Sequence, residues 1–285
     1  MAETKLLFHL SDVHFGLVDE RAIAWVERAI SEQCPDMVAI TGDLTMRARH
    51  REFAAATEWI KRLEAPVTVD VGNHDLPYFN LVERFFDPYR RFHGMKELVE
   101  REIVLPGLAL VPLNTTARAQ PRFNWSKGWV SKGALRRCLA AIDALPPGTR
   151  ALVTVHHPLR EVGTSGTALT HGGRRALDEL AKRGVLAVLS GHVRDAFDIM
   201  EQTPHGPVRM IGAGTLSQRI RSTPPSFNEL HWDGEQLEVC VRNLEHVETR
   251  AMQIDDVPED AMPPRGPGEP VAPVGRVPAD DPPVY

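Results

Sequence analysis

The sequence predicts an α/β protein, a four-layer α/β/β/α sandwich of two mixed sheets flanked by helices, and three observations carry that expectation. Apolar runs of strand length alternate with amphipathic runs of helix length through the first two thirds of the chain. The apolar runs are nearly continuous, as expected where both faces of a parallel sheet are covered. From Ala196 onward, short strands divided by turn residues replace that pattern and are expected to form an antiparallel sheet.

Taken in order, Lys5 to Leu10 reads as a strand, Asp19 to Gln33 as a helix and Met37 to Thr41 as a strand; Glu52 to Leu63 reads as a helix and Pro66 to Val71 as a strand. Strands separated by helices imply βαβ units and a parallel sheet. A helix follows near Phe79 to Phe92, then strands at Glu102 to Leu105 and Leu108 to Leu113, a loop from Asn114 to Val130, and a helix at Gly133 to Leu145. Ala151 to Val155 is a further apolar strand. A Gly/Ser/Thr-rich loop from Gly163 to Gly173 leads to a helix at Arg174 to Arg183 and a strand at Val185 to Ser190. Later turns at His205-Gly206-Pro207 and Trp232-Asp233-Gly234 divide short strands, with Gln236 to Leu244 read as the longest.

The domain is expected to span residues 1–254. Nine prolines lie between Val257 and the end, with acidic residues and almost nothing aromatic, so residues 255–285 read as an extended or disordered tail.

Bulk properties narrow the function. No apolar run among the 285 residues approaches the roughly 20 needed to cross a bilayer, so no membrane role is expected. The start, Met1-Ala-Glu-Thr-Lys5, lacks a basic region, a long apolar stretch and a small-residue cleavage site, which leads to a cytoplasmic expectation. Cys34, Cys138 and Cys240 are too scattered for a disulfide framework or a zinc knuckle, and most or all of them read as buried, inert thiols. A net charge of −5 without a Lys/Arg block argues against gripping duplex nucleic acid. The oligomeric state stays open, a homodimer included.

The chemistry is concentrated just after the apolar runs, where open α/β sheets place their sites. Asp12-Val13-His14 would turn a carboxylate and an imidazole to one side of extended backbone, and Gly42-Asp43 adds another carboxylate. Gly72-Asn73-His74-Asp75 offers a tight turn, a neutral oxygen ligand, an imidazole free to move a proton and a carboxylate able to orient it. His156 and Gly191-His192 each follow a buried strand. Singly, each pattern has a bland explanation: a cap, an Asx turn or a satisfied core histidine. Their joint occurrence at strand ends along one edge points to a two-metal site, in which cations about 3.5 to 4 Å apart act together on a phosphate.

The order D-x-H, G-D, G-N-H-D, H-H-P, G-H over roughly residues 5 to 245 resembles the calcineurin-like metallophosphoesterase superfamily. The stretches Leu10-Ser-Asp12-Val-His14-Phe-Gly16, Thr41-Gly-Asp43-Leu-Thr45 and Val155-His-His157-Pro158 look most like its bacterial class III cyclic nucleotide phosphodiesterase branch. The resemblance implies a dinuclear metal-dependent phosphoric ester hydrolase acting on a small phosphodiester such as a cyclic nucleotide. It implies that Asp12, His14 and Asp43 hold one ion, that Asp43, Asn73, His156 and His192 hold another, and that Asp43 bridges. A metal-bound hydroxide would attack phosphorus, with His74 as proton donor and Asp75 orienting it. The mixed oxygen and nitrogen donors suit Mn²⁺, Fe or Zn²⁺. A phosphomonoesterase, a nucleotide pyrophosphatase and a non-catalytic scaffold remain alternatives.

One position departs from the family pattern. Most small phosphoesterases of the superfamily read G-H-x-H, whereas this chain has Gly191-His192-Val193-Arg194. A guanidinium has no lone pair to give a metal. The first ion could therefore keep three protein ligands, Arg194 could take over charge stabilisation at the phosphate, or its charge could repel the ion. Arg194 could also turn outward, or pair with Asp195 or Asp198. Loop residues Arg118, Arg122 and Trp125 could cradle a phosphate and stack a base, and His157 reads as a support for neighbouring ligands.

Overall fold

A computed structural model describes residues 4–77, 80–100, 103, 105–117, 126–164, 167, 169–219 and 223–244. The expected tail therefore lies outside the described residues, as do Arg118, Arg122 and Trp125.

The first unit of structure alternates β1 (Lys5–Leu10), α1 (Glu20–Gln33), β2 (Met37–Ile40), α2 (His50–Arg62) and β3 (Val67–Val69). Asp19 starts α1 by accepting hydrogen bonds from the backbone N–H groups of Arg21 and Ala22, which have no partner inside the helix. α1 ends at Cys34, whose backbone is left-handed. β1, β2 and β3 pair in parallel.

Two short helices follow, α3 (Leu81–Phe86) and α4 (Arg90–Val99), where the sequence suggested one. Pro88 explains the break: its ring disfavours helical backbone at Asp87, which instead adopts φ −148° and ψ 68°. β4 (Leu108–Pro112), α5 (Lys132–Asp143), β5 (Arg150–Thr154), α6 (Gly173–Ala181) and β6 (Ala187–Ser190) repeat the alternation, and β4, β5 and β6 are parallel. Of the expected strand at 102–105, Leu105 makes only an isolated bridge to Leu108, and Glu102 and Val104 are not among the described residues.

The late strands do not form a sheet of their own. β7 (Phe197–Thr203) and β8 (Gly206–Gly212) form a hairpin whose second strand lies parallel to β6, whereas β9 (Ser226–Trp232) and β10 (Leu237–Asn243) join β1 antiparallel. The resulting orders are β10-β9-β1-β2-β3 and β4-β5-β6-β8-β7, both mixed. These four strands have equal lengths of seven residues, so β10 is not the longest.

Three apolar clusters define four layers. Phe8 and Leu10 of β1 face α1 and α2 with Val26, Ile30 and Trp59, while Leu7, beside Trp232 of β9, faces Leu152, Leu189 and Ile211 of the other sheet. This alternation along β1 is the period-two geometry of a strand covered on both sides. α5 and α6 close the opposite face through Leu135, Cys138, Leu177 and Leu180. The architecture is thus the expected α/β/β/α sandwich. Only Cys138 is a buried thiol; Cys34 and Cys240 are exposed, which corrects the expectation that most or all of the three are buried.

A polar tie crosses the middle layer. His9 is fully buried, with Nε2 3.1 Å from Thr41 Oγ1 and Nδ1 3.3 Å from Asn228 Nδ2, and Asn228 Nδ2 donates to the Gly212 carbonyl of the other sheet at 3.0 Å. Burial lowers the His9 pKa to about 3.

Candidate metal centre

The ends of β1, β2 and β3 in one sheet, and of β5 and β6 in the other, deliver the candidate residues to one place. Convergence comes from two sheets rather than from the single sheet edge inferred from the strand pattern. Two glycines permit the close approach. A Cβ at Gly72 would collide with the backbone and carboxylate of Asp43, and one at Gly191 would collide with Ser11 and Asp12. Gly72 is needed for this contact rather than for a left-handed turn.

Asp12, His14, Asp43 and His192 all have left-handed backbone, with φ of 52°, 52°, 53° and 68°. Asp12 and His14 therefore do not share a face through extended backbone, as the spacing suggested. Each such conformation costs a non-glycine residue about 1–3 kcal/mol, so the strain is concentrated on the residues that carry chemistry.

The hydrogen bonds divide each side chain into an anchored atom and an offered one. Asp12 Oδ2 accepts from Ser11 Oγ at 2.7 Å and from the His192 backbone N–H at 2.8 Å, leaving Oδ1. Asp43 Oδ1 accepts from the His74 backbone N–H at 2.8 Å, leaving Oδ2. His14 Nδ1 lies 3.3 Å from the Thr45 carbonyl, leaving Nε2. The three remaining atoms, Asp12 Oδ1, His14 Nε2 and Asp43 Oδ2, are buried and without a hydrogen-bond partner. They lie within 4.8 Å of one another. Native proteins rarely leave such atoms unpaired, and a divalent cation satisfies all three. The donor set therefore fits a metal ion.

Asp43 Oδ2 stands between two imidazoles, 3.8 Å from His14 Nε2 and 3.4 Å from His156 Nε2. His156 Nδ1 donates to the Thr41 carbonyl at 2.8 Å, and its Nε2 is 3.2 Å from Asn73 Oδ1. The His192 ring lies 5.2 Å from that of His156, centroid to centroid. His157 belongs to the same histidine cluster, but Thr115 Oγ1 and the Ser126 carbonyl occupy its ring nitrogens at 2.9 Å each. Its lone pair is thus turned away from its neighbours.

Electrostatics point the same way. Burial alone would raise the Asp43 carboxyl pKa, yet the facing His156 and His74 hold it well below the usual carboxylate range. Burial alone would lower His156, yet the Asp43 carboxylate outweighs it and raises the pKa to about 9. A buried cluster that forces positive charge onto an imidazole is a cluster that attracts cations.

Asp75 does not orient the His74 imidazole. Its oxygens accept from the backbone N–H groups of Leu44 at 3.3 Å, Thr45 at 2.8 Å and Gly72 at 2.9 Å, and from Thr45 Oγ1 at 3.0 Å. It clamps the loop after β2 to the loop after β3. Burial, and next the Asp43 charge, raise its pKa to about 6. The His74 ring is held instead by the Met46 carbonyl, 2.8 Å from Nδ1, and by Arg219 Nη1, 3.1 Å from Nε2. Arg219 follows β8 outside every motif, and no local pattern announces it.

Arg194 turns inward. Its side chain is 11% exposed, its Nε lies 3.5 Å from Asp12 Oδ1, and that Nε has no hydrogen-bond partner. Asp198, a partner considered for it, is engaged by Arg209 at 2.7 Å. The outward orientation considered for Arg194 is therefore not observed. No helix among the described residues is long and apolar enough to cross a membrane.

Comparisons with known proteins point to one family. A family model described as calcineurin-like phosphoesterase matches residues 6–194. A probable glycerophosphodiester phosphodiesterase GpdQ of Arcobacter nitrofigilis is 27% identical over 250 residues, covering 81% of this chain and 85% of that protein. A dimetal phosphatase from Danio rerio has a similar fold, with a TM-score of 0.63, 13% identity, and coverage of 84% of this chain and 96% of that one. So does a purple acid phosphatase from yellow lupin (Lupinus luteus) seeds, with a TM-score of 0.60 and 11% identity, covering 85% of this chain but 52% of that one. The family match spans well over half of the chain and includes every candidate ligand, so this protein belongs to the calcineurin-like phosphoesterase family and is a metal-dependent phosphoric ester hydrolase.

Proposed function

We propose that the chain hydrolyses a small phosphodiester at a dinuclear centre. Asp12, His14 and Asp43 would hold one divalent ion, and Asp43, Asn73, His156 and His192 the other, with Asp43 shared. The observation that carries this reading is the position of Asp43 Oδ2 between His14 Nε2 and His156 Nε2, with Asp43 Oδ2, His14 Nε2 and the nearby Asp12 Oδ1 all buried and without hydrogen-bond partners. Bound there, the ions would supply a phosphate-binding surface, an acidified water and charge stabilisation of the leaving oxygen. Mn²⁺, Fe and Zn²⁺ all suit the donors.

This chain's residues do the rest. His74 moves a proton at Nε2, because Nδ1 is committed to the Met46 carbonyl. Asp75 holds the backbone of Leu44, Thr45 and Gly72, and so the spacing between Asp43 and His74. Arg194 brings a guanidinium against Asp12 and offers its remaining N–H groups to a phosphoryl oxygen. The name of the Arcobacter relative supports a diester substrate, and the motif spelling supports a cyclic one.

The test is hydrolysis of bis-p-nitrophenyl phosphate, glycerophosphodiesters, cyclic nucleotides, phosphomonoesters and nucleotide diphosphates with Mn²⁺, Fe²⁺ or Zn²⁺. Diesters should be cleaved fastest, and His74→Ala should lower kcat by about 10²–10⁴-fold. Faster cleavage of monoesters, or full activity in His74→Ala, would refute the reading.

A further inference from the structure

Arg219 stands at the atom on which proton transfer depends. A carbonyl can only accept, so the contact between His74 Nδ1 and the Met46 carbonyl places the imidazole proton on Nδ1. Nε2 of the neutral ring then carries a lone pair, and Arg219 Nη1 donates to it at 3.1 Å. The same Nη1 lies 3.7 Å from Met46 Sδ, so one guanidinium nitrogen reaches both residues that frame the ring. On its other side the ring packs edge-on against His14, with centroids 4.8 Å apart.

The site itself builds this placement. The Arg219 backbone N–H donates to Ser217 Oγ at 3.2 Å; Ser217 Oγ lies 2.8 Å from Thr215 Oγ1, which donates to the Asp12 carbonyl at 2.7 Å. Gln218 adds a backbone bond to the Leu17 carbonyl at 3.1 Å and a side-chain bond to the Val18 carbonyl at 3.0 Å. The segment bearing Arg219 is thus tied to the loop after β1 that carries Asp12 and His14. Its cation reaches His74 from the loop after β8, 145 residues further along the chain.

We propose that Arg219 is the positioning residue for His74: it fixes the imidazole with its proton on Nδ1, and its cation recruits the anionic phosphoester that draws it away from Nε2. The guanidinium exchanges one acceptor, Nε2, for another, a phosphoryl oxygen, and no covalent bond changes. Nε2 is uncovered when substrate is present and capped when it is absent. The inference rests on the reading of His74 as the residue that moves the proton.

The experiment compares Arg219→Ala, Arg219→Lys, His74→Ala and the double variant Arg219→Ala/His74→Ala in the full chain with Zn²⁺. Arg219→Ala should lower kcat by about a hundredfold, the cost of misplacing a catalytic group, and raise KM; Arg219→Lys should restore KM more than kcat. In the His74→Ala background the arginine change should cost almost nothing further in kcat, while its rise in KM should persist. Histidine ¹⁵N spectra of the same samples, without substrate, should show His74 as the Nδ1–H tautomer in the wild type and as a mixture in Arg219→Ala. Multiplicative losses of kcat in the double variant, or an unchanged His74 tautomer, would overturn the proposal. If the wild type cleaves no ester, the functional reading fails, while the ¹⁵N comparison still decides whether Arg219 positions His74.

Discussion

Arg194 Nε lies 3.5 Å from Asp12 Oδ1, so a fixed positive charge faces a carboxylate oxygen offered to a cation. Asp12 Oδ1 can serve the guanidinium or a metal ion, and the arginine cannot lose its proton to yield. An ion at the proposed site of Asp12, His14 and Asp43 is therefore expected to bind more weakly than one at the proposed site of Asp43, Asn73, His156 and His192.

Arg194→His should strengthen that weaker binding. The substitution removes a like charge and supplies an imidazole, and a gain of about tenfold or more is expected, the scale by which neighbouring groups tune metal sites. Calorimetric titration with Mn²⁺ checks it: the weaker of two binding steps should tighten and the stronger should stay in place.

Asp75→Ala should destabilise the fold as well as impair activity. It strands buried N–H groups of Leu44, Thr45 and Gly72 that the carboxylate now satisfies. Leaving such donors unpaired costs about 1–3 kcal/mol each, although relaxation and water entry reduce the sum. Urea unfolding at neutral pH should show a lower midpoint with an unchanged slope.

His9 makes stability depend on acid. Its folded pKa is lowered to about 3, against an unfolded value near 6.5. Below pH 6.5 the unfolded chain binds a proton that the folded chain refuses, so the contribution of neutral His9 is complete above pH 6.5 and is lost as pH falls toward about 3. His9→Gln should remove up to about 1.4 kcal/mol per pH unit of the decline across that window. Urea titrations of both proteins at several pH values check the difference in slope.

Thiol labelling should separate the cysteines. Cys34 and Cys240 are exposed, whereas burial pushes the Cys138 thiol up to about 12. A disulfide reagent at neutral pH should modify two thiols in the native protein and the third only after unfolding.

Much of this architecture was legible because it is written locally. β1, β2, β5 and β6 are largely apolar runs, and the residues that follow them, from Asp12 to His192, come together at their ends. What escaped notice depends on contacts between distant segments. The transfer of β9 from the β7–β8 hairpin to β1 is set by sheet pairing, which strand periodicity does not encode. The left-handed backbone at Asp12 and His14 is imposed by the neighbouring loop, where their N–H groups donate to the Gly42 and Asp43 carbonyls. Asp75 looked like a partner of the adjacent His74 but reaches back to Leu44 and Thr45. Arg219 has no motif, and only the folded chain brings it to His74.

The central claim is that Asp43 is shared by two ions, and anomalous diffraction at the manganese edge from crystals of the full chain grown with excess Mn²⁺ tests it most directly. The account predicts two peaks about 3.5 to 4 Å apart, one on each side of the Asp43 carboxylate, with the peak nearer Asp12 and Arg194 the weaker. A single peak at full occupancy, or two peaks with Asp43 bound to only one of them, would contradict it.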